Sequence, residues 1–134
     1  MDFPLQDLVR IDANTLVYTQ PDSGWTGVAP LQDLVAFADV RSLNLPANAV
    51  LTLDLETAPV REDLLFRPMV TGIDLVQVLS GLVSPVVKVL LFQNPTVPVL
   101  RWVRWKLTLS NIGALAPWDA TFRILVCGSQ AGAR

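Results

Sequence analysis

Apolar and polar residues alternate along several stretches of the chain, most regularly over residues 103–110. Every second position there is apolar, namely Val103, Trp105, Leu107 and Leu109. Because successive side chains of a strand point to opposite sides of a sheet, this pattern predicts a β-strand with one buried face and one face in water. Trp105 is the largest apolar side chain of the predicted inner face, so we expect the other strands to pack around it.

Two more stretches, 50–57 and 121–127, alternate in the same way. The residues predicted to face inward are Leu51, Leu53, Leu55, Phe122, Ile124 and Val126. Those predicted to face water are Thr52, Asp54, Glu56 and Arg123. Further strands are predicted at 15–19, 37–45, 70–82 and 86–92 from their β-branched and aromatic content. A helix is the alternative for residues 74–82, but the Ile, Val and Gly residues there favour a strand.

Strands separated by turn residues about every 8–12 positions are typical of an all-β sandwich. The alternation predicts antiparallel sheets, each with one face in water, and a jelly-roll-like or an immunoglobulin-like topology fits equally well. With 134 residues the chain suits one domain. We expect residues 15–128 to form the sandwich, residues 1–14 an N-terminal arm or first strand segment, and residues 129–134 a flexible tail.

The hexamer PLQDLV occurs twice, at 4–9 and at 30–35, between flanks that do not match. We favour two similar entries into strands. The alternative is an arm, in which the first copy docks on a neighbouring subunit through Leu5, Leu8 and Val9. Deleting residues 1–10 without any change in oligomer size would remove the arm interpretation.

The composition points to contacts between subunits. Hydrophobic residues make up 51% of the chain and charged residues 16%, against a usual charged share of about 25%. This is more apolar material than a small domain hides easily, although an unusually apolar monomer is the alternative. Trp102 lies on the face opposite Trp105 and beside Arg104, and both residue types are common at interface hot spots. We therefore predict Trp102, Arg104 and Trp118 as contact residues.

The residues that carry most enzyme chemistry are missing or dispersed. The chain has no histidine and one cysteine, Cys127, which we expect at the core or its boundary rather than as a nucleophile. Asp54 and Glu56 are about 7 Å apart on one strand face, but nothing in the pattern raises the pKa of either, as an acid–base pair would need. We predict no enzyme, no catalytic residue, no cofactor and no metal site.

Charge and hydropathy argue against two other partners. The net charge is −2, and the densest basic group, Arg101, Arg104 and Lys106, is too small to follow a phosphate backbone. We therefore expect no nucleic acid. Residues 72–92 are interrupted by charged residues and proline, whereas a membrane span needs about 20 nearly uninterrupted apolar residues. The acidic start of the chain is unlike a signal peptide, so we expect neither a leader nor a membrane.

Three segments carry a family likeness: LTLDLETAP at 51–59, LRWVRWKL at 100–107 and ATFRI at 120–124. They resemble a strand ending in an acidic-Thr-Ala/Ser motif, an LRW-RW strand and a closing ATFRI strand in small β-sandwich structural proteins of tailed phages and prophage-like particles. The resemblance starts at residue 37 and carries no site residues. It implies a non-enzymatic virion component, such as a capsid decoration or tail-associated protein, assembled in the bacterial cytoplasm. Its partners would be copies of itself and a larger protein shell or tail.

A carbohydrate-binding module is the alternative, since β-sandwiches host many of them. Trp25, Trp102 and Trp118 would then form a stacking platform for sugar rings, and a glycan would be the partner. For Trp25, which lies between two glycines, we favour a lid over one end of the core, with stacking on a sugar or a partner as the alternative.

Overall fold

The computed structural model describes residues 2–28, 31–89 and 99–130. Within these ranges the chain forms nine strands and one short α-helix, together with 3-10 turns at Asp22–Gly24 and Asp63–Leu65. The elements are β1 (Asp2–Ala13), β2 (Val17–Thr19), β3 (Thr26–Gly27), β4 (Leu31–Asn44), β5 (Val50–Ala58), β6 (Arg67–Asp74), α1 (Leu75–Leu79), β7 (Val86–Val89), β8 (Trp102–Ser110) and β9 (Trp118–Gln130).

The strands form two antiparallel sheets whose order defines the topology. The first sheet runs β1-β9-β4-β7 and the second runs β2-β8-β5-β6, with β3 also paired to β8. Around the β5–β6 pair, three further pairs are nested: β4 with β7, β2 with β8, and β1 with β9. Successive pairs alternate between the sheets, as in a long hairpin rolled up on itself. The fold is therefore an all-β sandwich, as predicted, and its topology is the jelly roll.

The core lies between the sheets and is centred on Trp105, which is completely buried. Phe122 of the opposite sheet meets the Trp105 ring edge-on at 5.1 Å between centroids, and Tyr18 stacks beside it at 5.9 Å. The Trp105 indole N–H donates to the side-chain oxygen of Gln6 at 3.2 Å, so its polar atom is also satisfied. The ten residues predicted to face inward on β5, β8 and β9 are all buried, which confirms the alternation.

Three local predictions were wrong. Residues 75–79 are helical because the Asp74 carboxylate caps the N-terminus, accepting from the backbone N–H groups of Val76 and Gln77. Glu56 is buried instead of facing water. Cys127 is exposed on the outer face of β9 instead of lying at the core or its boundary.

The first and last strands that the structure describes lie side by side in the first sheet. β1 pairs with β9 of the same chain, with register shifts on either side of Gln6. β9 continues to Gln130, so the first two residues of the predicted tail belong to a strand, and residues 131–134 lie outside the described residues. The predicted strand at 86–92 is described only as β7, since residues 90–98 also lie outside the described ranges.

Candidate functional site

The residues predicted to contact a partner lie in separate parts of the sandwich. Leu5 and Trp118 are buried in the core, and the Trp118 indole N–H donates to the Thr15 carbonyl at 2.8 Å. Leu8 is exposed and Val9 half-buried on β1. Trp102 and Arg104 lie together on the outer face of the second sheet, as their spacing predicts, and are described next. The chain therefore covers Leu5 and Trp118 itself, and the six residues do not form one surface.

Arginine and aromatic side chains alternate in a stack on the outer face of β8. Arg61 lies over the rings of Trp102 and Trp25, at 5.7 and 5.8 Å from their centroids. Arg104 lies over the rings of Trp25 and Phe66, at 4.9 and 4.1 Å. Cations over aromatic faces attract the ring quadrupole, most strongly where water is excluded. This arginine–aromatic stack fixes the segment around Trp25 and the turn before Phe66 onto the sheet.

Ion pairs hold the Arg104 side chain of the arginine–aromatic stack in place. The Arg104 guanidinium donates to Glu56 at 2.8 Å and to Asp63 at 2.6 Å, and the Lys106 ammonium lies 3.3 Å from the second oxygen of Glu56. Arg104 and Glu56 are both buried, which explains why Glu56 does not face water. Since the charges are satisfied within the chain, this face is a second, smaller packed layer rather than a vacant surface.

The arrangement of the tryptophans bears on the carbohydrate alternative. Trp25 and Trp102 are both covered by Arg61 on one face, while Trp118 points into the core between the sheets. The three rings therefore do not form the predicted platform. Trp25 is also not a lid over the end of the core, because it packs against Phe66 at 4.9 Å on the outside of the second sheet.

An exposed line of apolar residues crosses the outer face of the first sheet. Leu125 of β9 is paired on one side with Pro4 and on the other with Phe37, and Phe37 is paired with Val86. These four residues, the apolar row, span all four strands. The exposed fractions of Leu125, Phe37 and Val86 are 38%, 45% and 40%. Singly exposed apolar residues are ordinary, whereas these four form a continuous line across the sheet.

Charged residues border the apolar row on both sides. Towards the start of β1, one row across the sheet contains Asp2, Cys127, Val35 and Lys88 in that order. On the other side Arg123 of β9 donates to Asp39 of β4 at 2.6 Å, and Arg41 donates to the same carboxylate at 2.9 Å.

These contacts shift the pKa values of Asp39 and Cys127, among others. The hydrogen bonds from Arg41 and Arg123 hold the pKa of Asp39 below its ordinary value. A hydrogen bond with Asp2 and the charge of that carboxylate raise the pKa of the Cys127 thiol. A thiol with a raised pKa is a weaker nucleophile at neutral pH.

The sequence pattern missed the apolar row, although part of the signal was present. Ile124 and Val126 were predicted to face inward, which places Leu125 outward as an apolar residue on the wet side. Phe37 and Val86 could not be assigned in this way, because their strands do not alternate. Only the registration of four strands brings these residues into one line.

An open groove of about 420 Å³ lies beside α1, between β6 and β7. Apolar side chains make up most of its wall, including Val70, Ile73, Val83 and Val87. The Asp74 carboxylate in the wall is engaged as the cap of α1. No group of three or more potential metal ligands occurs among the residues that the structure describes.

The fold and the apolar row define a jelly-roll domain with one apolar outer sheet face. No protein-family model matches the chain, and no curated protein matches it in sequence. Among solved structures, the chain is similar to a chain in the structure of the Gx strain of infectious bursal disease virus, with a TM-score of 0.54 and 11% identity. The match covers 100% of this chain but only 32% of the viral chain, so this protein spans about a third of its length. The likeness is one of fold, which this chain shares with part of a viral protein. In the described ranges, no helix has the length and apolar character needed to cross a membrane.

Proposed function

We propose that this chain is a non-enzymatic structural protein of a phage or phage-like particle. It associates with copies of itself and binds a larger shell, as a capsid decoration or another component of virion assembly. The observation that carries the proposal is the apolar row, which spans a whole sheet of a jelly-roll fold shared with a viral protein. Jelly rolls are a common fold of viral capsid domains.

The distribution of the chain's covered and uncovered faces supports this role. The outer face of the second sheet carries the arginine–aromatic stack, whose charges pair within the chain. Among the residues that the structure describes, nothing comparable covers Leu125 and Phe37 of the first sheet, which are 38% and 45% exposed. A domain with one covered and one apolar outer face is suited to lying against other protein subunits, because assembly removes that apolar surface from water.

The engaged charges also favour a structural role over catalysis. The most buried charges of the described chain, Arg104 and Glu56, are directed at each other and at neighbouring loops rather than into a cleft. An acid–base catalyst needs groups that reach a bound substrate. The function of these charges in the described structure is to hold the loops in place.

Co-sedimentation tests the proposal directly. Purified full-length protein is mixed with candidate shells from the same source, and its sedimentation with the shells is compared with that of two serine variants. Leu125→Ser removes an apolar side chain from the apolar row, whereas Leu16→Ser removes one of similar exposure, 48% against 38%, elsewhere on the surface. We expect the wild type and Leu16→Ser to co-sediment and Leu125→Ser to remain in the supernatant.

Two results would contradict the proposal. One is wild-type protein that sediments with none of the shells, and the other is equal binding by Leu125→Ser and the wild type. Selective binding on a glycan array would favour the carbohydrate alternative instead.

A further inference from the structure

We infer that two copies of the chain associate through the outer faces of their first sheets, about a twofold axis parallel to the strands and between β9 and β4. This inference deepens the proposed function, because it names the surface and symmetry of self-association. Paired copies then bind the shell together, so that loss of pairing in Leu125→Ser also lowers co-sedimentation. It rests on the arrangement of side chains across the sheet, which is the same whichever particle the protein belongs to.

The order of the first sheet determines which residues such an axis brings together. With the order β1-β9-β4-β7, a twofold axis between the two central strands places β9 of one copy over β4 of the other, and β1 over β7. Residues at the same level of the sheet then face each other. Leu125 therefore faces Phe37 of the second copy, and Pro4 faces its Val86. The apolar row is complementary to itself under this operation.

The charged rows are complementary under the same operation. At one level Asp2 of β1 faces Lys88 of β7 in the second copy, and by symmetry Lys88 faces Asp2. At another level Arg123 of β9 faces Asp39 of β4 in the second copy, but these two side chains are already bonded within each chain at 2.6 Å. The contact between opposite charges of different copies therefore comes from Asp2 and Lys88. The face thus carries opposite charges at mirrored positions around an apolar centre, which is the pattern a second copy satisfies.

The other broad face of the sandwich is less suited to a second copy. There Arg104, Glu56 and Asp63 are already paired within the chain, beneath the rings of Trp25 and Phe66. A copy docking on that face would meet charges that are satisfied within the chain, as Arg123 and Asp39 also are on the first sheet. On the first sheet, Asp2 and Lys88 are both exposed and lie at opposite edges. Three strand spacings of about 4.8 Å separate them, about 14 Å, which is more than a Debye length of about 8 Å.

The size of the face sets the expected strength of the association. Four strands at about 4.8 Å spacing, over five residues of about 3.4 Å each, give about 320 Å² per copy. Both copies together bury about 650 Å², well below the roughly 1,200 Å² of a stable interface. We therefore expect a weak dimer with a dissociation constant between about 10 μM and 1 mM. In a shell, where many such contacts act together, weak pairing suffices.

A charge swap tests the facing pair of Asp2 and Lys88. Sedimentation equilibrium at up to about 1 mM protein measures the dissociation constants of the wild type, Asp2→Lys, Lys88→Glu and the double variant. Each single variant places like charges opposite each other at two symmetric points, so dimerisation should weaken by about tenfold. The double variant restores opposite charges and should return to within about twofold of the wild type.

The swap separates contacts between copies from effects within one copy. Because the two side chains are too far apart to interact in one chain, rescue in the double variant requires that they meet between chains. A monomeric wild type at about 1 mM overturns the inference. So do single variants that dimerise like the wild type, or a double variant that fails to recover.

The only cysteine of the chain provides a second, geometric test. Cys127 is exposed on β9, next to the axis. With sheets about 10 Å apart and strands about 4.8 Å apart, the two Cys127 Cα atoms lie about 11 Å from each other. A short bis-maleimide should therefore link two copies. Moving the cysteine to the second sheet, in the variant Cys127→Ser with Thr71→Cys, should abolish the link.

Cross-linking needs one control for thiol reactivity. Since Asp2 raises the pKa of Cys127, the variant Asp2→Lys changes the reactivity of the thiol as well as the dimer. The rate of labelling by a monofunctional maleimide corrects the yield for this effect. Equal cross-linking by both cysteine positions would contradict the inference.

These experiments use purified protein alone, so their outcome is distinct from that of co-sedimentation. A dimer that binds no shell would leave the inference standing and reject the proposed function. A protein that binds shells as a monomer would do the reverse.

Discussion

Replacing Arg104 by methionine should destabilise the fold more than any change to an exposed ion pair. The Arg104 side chain is 7% exposed and Glu56 is 6% exposed, and the two are joined by a hydrogen bond of 2.8 Å. Methionine preserves much of the packing between Trp25 and Phe66 but removes the charge. Glu56 would then remain buried with only Lys106, at 3.3 Å, to neutralise it.

The magnitude follows from the cost of an unpaired buried charge. Removing one partner of a buried ion pair costs about 3–5 kcal/mol, and the remaining contact with Lys106 places Arg104→Met near 3 kcal/mol. Glu56→Gln should cost about 2 kcal/mol, because Arg104 keeps its bond to the more exposed Asp63. The double variant removes both buried charges, so we expect about 3 kcal/mol instead of the sum of about 5.

Urea unfolding followed by circular dichroism gives the four free energies of this cycle. Arg10→Met is the matched control, since Arg10 pairs with Asp12 and Asp119 at the surface and its side chain is 63% exposed. That variant should lose less than about 1 kcal/mol. The expected coupling between Arg104 and Glu56 is about 2 kcal/mol, with similar m-values throughout.

A coupling below about 0.5 kcal/mol, or an Arg104→Met variant as stable as Arg10→Met, would refute this reasoning. The cycle also bears on the prediction that Arg104 contacts a partner. If that prediction holds, Arg104→Met should lower co-sedimentation with shells under conditions where the variant is still fully folded. If Arg104 acts only within the chain, folded variant protein should bind as the wild type does.

Two further variants test local features of the fold. Asp39→Asn removes a carboxylate whose pKa is lowered by its bonds to Arg41 and Arg123, so its stabilising effect is present above the unfolded pKa of about 3.9 and is lost as the pH falls through the folded value. The free energy of unfolding of the wild type should exceed that of the variant by about 1 kcal/mol at pH 7 and by almost nothing at pH 2. A difference that persists at pH 2 would contradict this assignment. Gly72→Ala should lower the free energy of unfolding in urea by about 1 kcal/mol, because Gly72 has a φ of +74°. Gly113→Ala is the control and should be nearly neutral, since an added Cβ there meets open space. Equal losses in the two variants would reject the backbone explanation.

The residues of the inner faces could be predicted because burial and strand geometry act together there. Leu51, Leu53 and Leu55 alternate with polar residues, and each is buried against the opposite sheet. Period-two alternation reports which side of a strand a residue occupies, and the sandwich makes one of those sides the core. The same logic identified the inner face of β9.

Alternation does not report what covers the other side. Glu56 and Arg104 lie on the outward side, as predicted, yet both are buried beneath the segment of Trp25 and the turn before Phe66. Those covering residues come from distant parts of the chain, so no local pattern could reveal the contact. The helix at 75–79 was missed for the opposite reason, since one local hydrogen-bond cap at Asp74 outweighed the β-branched residues nearby.

The repeated hexamer shows why the apolar row could be identified only from the structure and not from the sequence. Leu8 and Leu34 occupy the same position in identical hexamers, yet Leu8 is 54% exposed and Leu34 is completely buried. Both strands pair with β9, but β4 keeps a regular register around Leu34, whereas β1 lies at the edge of the sheet and shifts register twice between Pro4 and Val9. Since the neighbouring strand decides which face a residue occupies, apolar content alone predicts that a contact surface exists but not where it lies. The proposed location rests on the register of Leu125 with its neighbours on both sides, and a charge swap at the edges of the same sheet tests it.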